Sequence, residues 1–336
     1  MTQTKMTTIN DISKYAGVSN RTVSAVLNNR RGTVRVGQAT QERILAVARE
    51  FNYTPNVMAQ GLRSGQSFLV GVVVARITNS FTPEVLQGIE DVLTANNYSM
   101  VLSTYHNDQE LKLKVNILEQ KKVDGMVVFY DVRESVIQIY DSLIKSRPTV
   151  FIGSQNQYDL PCAYTDGFKI GIVATEYLLN LGHKRIAFLA GACPEREEGY
   201  KTAIAHVGMK FDERLIVKGC IDYSCGKNAL HRLESAGMLP TAVISYSDNV
   251  AAGFIAEAIA QGIKIPDEIS VIGIDNLPLA EMLSPALTTI DQPKSEQGSK
   301  ATGMLLKMMN GEKLSQKDSI VFEPSLIVRN SCKRLI

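Results

Sequence analysis

The sequence predicts a small all-α helix-turn-helix head followed by an α/β body of two doubly wound lobes with parallel sheets. Two short helical stretches joined by a glycine-containing turn occupy residues 7–28. From Phe68 onward, short apolar runs alternate with helical stretches in two successive series. Net positive charge is concentrated in the first 66 positions. Together these observations indicate two parts with different tasks.

The first two helices and the turn between them occupy TTINDISKYAGVSNRTVSAVLN. Thr8 is expected to cap the first helix, and Gly17 to end it in a left-handed conformation. Ser19 is expected to cap the second helix. Helix, short turn, helix is the arrangement whose second helix enters the DNA major groove, although any small helical hairpin gives a similar pattern. The outward face of the second helix carries Asn20, Arg21, Ser24, Ala25 and Asn28.

A third helix is predicted over Ala39–Phe51, with Thr40 as its N-cap. Its apolar stripe would close a three-helix core over Ile12 and Val23. The stripe consists of Ile44, Leu45, Val47 and Ala48.

The charge is divided unevenly along the chain. Residues 1–66 hold nine Lys or Arg and three acids, a net charge of +6, whereas the remainder holds 27 bases and 31 acids, a net charge of −4. A basic head on a mildly acidic body is typical of a phosphate-binding module attached to another domain.

The composition is that of an ordinary folded chain, with 45% hydrophobic and 21% charged residues. No run of 18 apolar residues is present, and no secretory signal precedes the head, so we expect a cytoplasmic protein without a membrane segment. The five cysteines show no metal-ligand spacing and suit a reducing compartment. Cys220 and Cys225 could form a redox pair, but no CxxC is present, so free thiols are expected.

The body is predicted from apolar runs that do not alternate with polar residues, which indicates parallel strands covered on both faces. The first series has strands in FLVGVVVA, SMVLSTY, GMVVFY and TVFIGS, with helices over Pro83–Asn96, Gln109–Lys121 and Ser135–Lys145. The second has strands in RIAFLAG, LIVKG, AVISYS and SVIGID, with helices over Ile170–Leu181, Glu197–Val207, Gly226–Ala236 and Asn249–Gln261. Ligands bind at the carboxyl ends of such strands.

No catalytic constellation accompanies this fold. The sequence has no GxGxxG after a strand, no P-loop, no GxSxG and no HExxH. We therefore expect no enzyme, no metal and no cofactor.

The runs TTINDISKYAGVSNRTVSAVLN and ERILAVAREFNYTPNVMAQGLRSGQS resemble the head of the lactose-repressor/galactose-repressor (LacI/GalR) family of bacterial transcription regulators. The resemblance extends over nearly the whole chain. It implies that Asn20, Arg21 and residue 25 face base edges, which carry sequence information. It also implies phosphate contacts from Thr8, Ser19, Thr22, Ser24, Asn28, Tyr53 and Asn56.

Two features of the head depart from the family. Ala25 stands where the family usually has Arg, and alanine cannot make the bidentate pair to guanine, worth about 1–3 kcal/mol. Ala25 can still touch a thymine methyl, and Arg21 is a candidate for the guanine contact. The loop between Asn28 and Val36 is about three residues longer than usual. Its Arg30, Arg31 and Arg35 are expected to contact phosphate, the alternative being that they are only solvated.

Residues 55–66 form a hinge between the head, 1–54, and the body, 67–336. A segment this short lies far below the ~12–15 residues that an isolated helix needs in water. It is expected to become helical only when two copies pack on DNA. The resemblance implies that Leu62 is a wedge in the minor groove, where apolar side chains unstack base steps.

LGHKRIAFLAG, PDEISVIGIDNLPLAEMLSPALTTIDQP and EPSLIVRNS also resemble the family, whose body is similar to periplasmic sugar-binding proteins. In that fold the chain passes between the lobes three times, here near Thr165, Asp291–Gln292 and Glu323–Pro324. One lobe then comprises about 68–163 and 294–322, and the other about 164–290 and 325–336.

The resemblance implies an effector site in the cleft between the lobes. Arg196 and Asp275 match its main polar residues, and a guanidinium fork suits hydroxyls, carboxylates or phosphates. Ile221 replaces an aromatic that often stacks on a ring, and Gly167 replaces the asparagine of the usual Asp-Asn pair. Further candidates are Asn79, Phe81, Tyr130, Ser247 and Gln292.

The sequence therefore predicts a homodimeric, sequence-specific regulator of transcription, most simply a repressor. Its partners are double-stranded operator DNA and a small polar effector, a sugar or similar metabolite. The alternative is a solute-binding protein without a DNA role. That alternative calls for a signal peptide and no basic head.

Overall fold

A computed structural model of the chain describes residues 7–27, 36–53, 65–75, 77, 80–129, 136, 139, 141, 144–154 and 159–335. It divides into two compact units, Met1–Ser67 and Phe68–Ile336. Several residues singled out in the sequence lie outside the described ranges. They are Asn28, Asn56, Leu62, Asn79, Tyr130 and the arginines of the long loop.

The described part of the head contains three helices, α1 (Ile9–Ala16), α2 (Asn20–Leu27) and α3 (Gln38–Glu50). Thr8 caps α1 as predicted, and Gly17 ends it at φ 63°. The backbone N–H of Thr22 donates to Ser19 Oγ at 3.2 Å, as expected of an N-cap. The small core where the three helices meet contains Ile12, Ala16, Val23, Ile44 and Ala48.

The predicted cap of the third helix was wrong. Helix α3 begins at Gln38 with Gly37 as its N-cap, so Thr40 lies inside the first turn. Gly37 has extended backbone and its carbonyl starts the helix, accepting from the N–H of Thr40 at 3.0 Å. The apolar stripe is the same in both cases, and a stripe does not fix a helix boundary to within two residues.

The body contains the remaining helices and all the strands among the described residues. The helices are α4 (Thr82–Ala95), α5 (Asp108–Gln120), α6 (Gly167–Asn180), α7 (Pro194–His206), α8 (Tyr223–Ser235), α9 (Asp248–Ala260), α10 (Pro278–Met282) and α11 (Lys294–Met309). The strands are β1 (Leu69–Val74), β2 (Ser99–Thr104), β3 (Gly125–Phe129), β4 (Thr149–Ile152), β5 (Cys162–Thr165), β6 (Ile186–Ala190), β7 (Ile216–Lys218), β8 (Ala242–Ser245), β9 (Ser270–Ile274), β10 (Thr288–Asp291), β11 (Ile320–Phe322) and β12 (Ser325–Ile327).

Each lobe is built on one six-stranded sheet. The first sheet has the order β11-β5-β4-β3-β1-β2 and is parallel throughout. The second has the order β12-β10-β9-β8-β6-β7, with β12 antiparallel to β10. The predicted fold class, two doubly wound lobes with parallel sheets, is confirmed.

The apolar runs are explained by burial on both faces of each sheet. Neighbouring residues of β1 enter different cores, Val72 on one face and Val73 on the other. In β6, Leu189 packs on one face and Phe188 on the other. Helices cover both faces of each sheet and exclude water from them. Successive residues of an inner strand such as β1 or β6 are therefore apolar, whichever face they point to.

The chain passes between the two sheets at three places. It leaves the first sheet after β5 and enters α6, and it leaves the second after β10 and enters α11, which packs on α4 of the first lobe. Strand β11 pairs with β5, and β12 then pairs with β10. Three crossings set the carboxyl ends of both sheets beside one cleft.

The remaining differences concern strands and helices that the sequence did not predict, and one expected helix. The sequence did not predict α10, α11, strand β5 or strands β10 to β12. The helix expected over 135–145 falls largely outside the described residues. No helix in the described part of the chain has both the length and the apolar character needed to span a membrane.

Candidate nucleic-acid interface and ligand cleft

The outward face of α2 presents polar side chains to solvent. Asn20 and Arg21 are exposed, and Asn20 Nδ2 donates to the side-chain oxygen of Asn10 on α1. Thr22, Ser24 and Ala25 are partly exposed. A recognition helix needs such a face, because bulky apolar groups would block the approach to base edges.

Two expected phosphate contacts also hold the helix ends. The Thr8 hydroxyl accepts from the N–H of Asp11 at 3.3 Å and contacts the Asp11 carboxylate at 2.7 Å. The Ser19 hydroxyl lies 2.8 Å from that of Thr22. Tyr53 is half-buried against the head core. The polar groups at the start of each helix can position phosphate, since helix N-termini favour anions.

The cleft side of the second lobe collects residues that follow successive strands. Arg196 comes from α7 after β6, Ile221 follows β7, and Ser247 follows β8. Asp275 directly follows β9, and Gln292 directly follows β10. The parallel sheet brings these five sequence-predicted residues to one edge.

The Arg196 guanidinium lies over an aromatic ring in this cleft. Its Nη1 donates to the Tyr246 carbonyl at 2.8 Å, and its guanidinium carbon lies 5.1 Å from the Tyr246 ring centroid. The Nε atom is buried and has no hydrogen-bond partner within the described structure. A buried guanidinium N–H without a partner loses a charge-assisted hydrogen bond, which a bound ligand can restore.

Asp275 is buried, with 5% of its surface exposed. Its Oδ1 accepts from Gln292 Nε2 at 2.7 Å. Burial raises the pKa of Asp275 to about 6, while the charges of Arg196 and Lys294 act in the opposite direction. A carboxylate beside an arginine provides both acceptors and donors for a polar ligand.

The other predicted cleft residues have structural contacts of their own. Ser247 caps α9, its Oγ accepting from the N–H of Val250 at 3.4 Å. Phe81 precedes α4 and packs partly into the core of the first lobe. Ile221 is half-exposed and offers an apolar surface without an aromatic ring.

Lys294 at the start of α11 was not found from the sequence. It is 3% exposed, and its Nζ donates to the Asp275 carbonyl. The same Nζ lies 3.5 Å from the carboxylate of Glu84 on α4 of the first lobe. Lys294 therefore ties the strand end that carries Asp275 to the opposite lobe.

A second bridge spans the cleft. Asn249 Nδ2 on α9 of the second lobe donates to Ser80 Oγ of the first lobe at 2.5 Å. Both residues are partly buried. This hydrogen bond is made only when the lobes are close, so it responds to the opening of the cleft.

Asp248 is a further buried acid that the sequence did not reveal. Its Oδ1 accepts from Thr289 Oγ1 at 2.6 Å, and its Oδ2 accepts from the N–H of Leu277 at 2.7 Å. Burial and, next, the charge of Asp275 raise the pKa of Asp248 to about 7.

The free energy of unfolding is expected to fall as the pH rises from about 4 to about 7. An unfolded aspartate has a pKa near ~3.9, so in this window the folded chain holds a proton at Asp248 that the unfolded chain has released. The resulting stabilisation is complete below about pH 4 and is lost through about pH 7, a change on the order of a few kcal/mol. Urea unfolding at pH 4 to 8 measures it. Asp248→Asn should make the curve less steep without removing the slope, because Asp275, whose pKa is raised to about 6, contributes with the same sign. An equally steep curve in that variant would contradict this role.

Helix α7, which carries Arg196, is held by close backbone contact with α6. A Cβ at Gly199 would meet the Phe168 carbonyl oxygen at 2.1 Å, and one at Gly171 would meet the Arg196 carbonyl oxygen at 2.1 Å. No side chain fits at these two positions, so the two glycines fix the position of Arg196.

Gly199→Ala is expected to lower the free energy of unfolding by about 1–3 kcal/mol, because the new methyl group overpacks a backbone contact. Gly303→Ala in α11 is the matched control, since nothing lies within 4 Å of its Cβ position. The control should be neutral or stabilising by up to about 1 kcal/mol. Thermal and urea unfolding test both, and equal stability of the two variants would refute the close contact.

The expectation of free thiols was wrong at one pair. Cys220 and Cys225 are joined by a disulfide, with Cα atoms 5.0 Å apart. The turn between β7 and α8 brings the two cysteines together. Because they are five positions apart, a search for the CxxC motif does not find them. Cys162, Cys193 and Cys332 form no disulfide. No cluster of metal-ligating side chains is present among the described residues.

A basic helix-turn-helix head and a two-lobed body with a polar cleft define a DNA-binding regulator with a ligand-binding domain. Residues 8–56 match the model for bacterial regulatory proteins of the lacI family, and residues 175–332 match a periplasmic binding protein-like domain. The chain belongs to the lacI family of bacterial regulatory proteins.

Relatives of this chain share its full length. The HTH-type transcriptional repressor PurR of Vibrio campbellii is 33% identical over 98% of this chain and 100% of the relative. The HTH-type transcriptional repressor CytR of Escherichia coli is 32% identical over 98% of this chain and 97% of the relative. The Lac repressor dimer bound to operator and the anti-inducer ONPF has the same fold, with a TM-score of 0.87 at 24% identity over 98% of this chain and 100% of that one. These relatives are repressors, not enzymes, as the sequence predicted.

Proposed function

We propose that this chain is a homodimeric transcriptional repressor whose affinity for its operator is controlled by a small polar effector in the cleft. The family assignment and the exposed polar face of α2 support the DNA-binding part of the proposal. The neighbouring Lac repressor structure is a dimer on operator DNA, which supports a two-fold assembly.

The observation that best supports effector control is an unsatisfied hydrogen-bond donor on Arg196. Its Nε is buried, unpartnered within the described structure and close enough to Asp275 for their charges to interact. A site with a free guanidinium donor and a carboxylate acceptor is suited to a ligand that carries hydroxyl, amino or carbonyl groups. We therefore favour a sugar or a similarly polar metabolite.

The effector acts in this proposal by changing the closure of the lobes. A ligand held between Arg196 and Asp275 on one lobe and groups on the other favours the closed form. Closure preserves the Ser80–Asn249 hydrogen bond, which opening would break. The coupling between ligand and DNA is then a difference in affinity for two states.

Recognition of DNA is assigned to α2 and its flanks. Asn20, Arg21 and Ala25 face base edges, and two heads read half-sites of a near-palindrome, because a two-fold protein matches a two-fold site. Leu62 enters the minor groove at the centre. The phosphate contacts are proposed for Thr8, Ser19, Thr22, Ser24, Asn28, Tyr53 and Asn56. A repressor of this kind acts in the cytoplasm.

Selection of the purified protein on random duplex DNA tests the proposal. The selection is run at about 0.1 M salt, where exposed charges are screened beyond ~10 Å, so that base contacts decide the outcome. A second arm measures thermal shifts with separate panels of monosaccharides, disaccharides, nucleobases and nucleosides.

A near-palindrome in the selected DNA supports a sequence-specific regulator. If the protein binds a ligand but selects no DNA sequence, either with or without that ligand present, the DNA-binding role is refuted. The protein is then best described as a solute-binding protein. A selected sequence whose affinity no stabilising ligand alters would refute effector control.

A further inference from the structure

Two cysteines bracket the turn that joins β7 to α8. The N–H of Cys220 donates to the Ala190 carbonyl at 2.8 Å, which anchors this residue to the end of β6. The N–H of Cys225 donates at 2.9 Å to Asp222, the N-cap of α8. Their Cα atoms are 5.0 Å apart, within the range that a disulfide spans. The bond closes a ring of six residues.

The two sulfur atoms have different access to solvent. Cys220 is fully buried in a core cluster that includes Leu230 and Phe254. Cys225 is only partly buried and packs against the same cluster. It also lies in the first turn of a 13-residue helix, where the helix dipole stabilises a thiolate. Cys225 is therefore the thiol that an oxidant meets first.

The ring contains part of the cleft wall. Ile221, 50% exposed, and Tyr223, 48% exposed, both lie between the two cysteines. With the disulfide formed, the backbone that carries Ile221 is covalently held at both ends. In the dithiol form, this backbone is held by hydrogen bonds: those from the N–H groups of Cys220 and Cys225, and that from the Gly226 N–H to the Asp222 carbonyl. The oxidation state of the two cysteines thus determines how mobile the backbone of Ile221 is, and Ile221 is a candidate ligand contact in the cleft.

The size of the ring and the cellular location favour a reversible bond. A six-residue ring restricts the unfolded chain much less than a long loop does, so it adds comparatively little to global stability. In the reducing compartment where DNA-binding regulators act, disulfides are usually transient and redox-sensing.

We propose that Cys220 and Cys225 are a peroxide-responsive redox site that adjusts effector affinity by ordering residues 221–224. The Cys225 thiol reacts with hydrogen peroxide to give a sulfenic acid and one water. The Cys220 thiol then attacks that sulfur, forming the disulfide and releasing the second water. Two electrons pass from the thiols to peroxide, and a cellular dithiol reverses the step by exchange. The effect on affinity rests on the proposed function, whereas the ordering of the turn does not.

The test uses the full chain, fully reduced and then treated with hydrogen peroxide. Differential alkylation and mass spectrometry identify the bonded cysteines. Hydrogen exchange over residues 219–226 should be at least tenfold slower in the oxidised form. Affinity for the ligand that gives the largest thermal shift in the panels should differ at least fivefold between the two forms. Cys225→Ser should abolish both differences, and Cys332→Ser, which removes a free thiol outside the ring, should retain them.

Failure to form this disulfide with excess peroxide, or equal exchange rates in both forms, would overturn the redox site. Equal ligand affinities in the two forms would overturn the control of the cleft. Operator selection and ligand binding are measured first with reduced protein, so their failure is attributed to the proposed function. The exchange measurement then still decides whether the ring orders the turn.

Discussion

Asp275→Ala is expected to lower the affinity for the effector about 100-fold or more. Asp275 is buried beside the Arg196 guanidinium and accepts from Gln292, so its removal leaves donors unpaired in the cleft. Truncating one partner of a buried, hydrogen-bonded charge pair typically costs about 2–5 kcal/mol. Arg196→Ala should have an effect of similar size. Titration calorimetry measures both with the ligand that stabilises the wild type.

The control for these variants is Asp267→Ala. Asp267 is an exposed acid of the same lobe, paired with Lys333 at 2.7 Å, and a surface ion pair contributes about 0–1 kcal/mol. The control should bind ligand and DNA like the wild type, and all three variants should retain operator binding in the absence of ligand. An unchanged ligand response in both cleft variants would place the pocket elsewhere.

Arg21→Ala is expected to reduce specific operator affinity about 10- to 100-fold. Arg21 is exposed on α2, and a bidentate arginine–guanine pair is worth about 1–3 kcal/mol of discrimination. Non-specific DNA affinity should fall much less. Binding to the selected operator and to a scrambled duplex at fixed salt separates the two effects.

Arg49→Ala is the matched control, since Arg49 is also exposed in the head but lies on α3. Loss of the same charge there should weaken binding to both duplexes by a similar small factor. Equal losses for operator and scrambled DNA in Arg21→Ala would assign Arg21 to phosphate contact and leave base recognition to other residues.

The residues that could be predicted are those fixed by local pattern and strand order. Asp275 directly follows β9, a strand that the apolar pattern predicted, so a parallel sheet places it at the carboxyl edge. Gln292 follows β10, which the pattern did not predict, and only the family resemblance pointed to it. The fold class was accessible from the apolar pattern, because both faces of each sheet are covered by helices.

The residues that were missed depend on contacts between distant segments. The sequence around Lys294 suggests an ordinary surface lysine. In the structure it is buried between the Glu84 carboxylate and the Asp275 carbonyl. From the sequence alone, Asn249 is only a residue near the start of a helix. It donates to Ser80 because the two lobes lie close together in the folded chain. No spacing rule connects residues more than 150 positions apart.

The central claim is that one small molecule binds in the cleft and changes the affinity of the head for its operator. The most direct test is a complete thermodynamic cycle: operator affinity with and without saturating ligand, and ligand affinity with and without operator. We predict the same factor, about 5- to 150-fold, in both directions, since coupling between two binding sites is reciprocal. An operator affinity that is unchanged by saturating ligand would contradict the account.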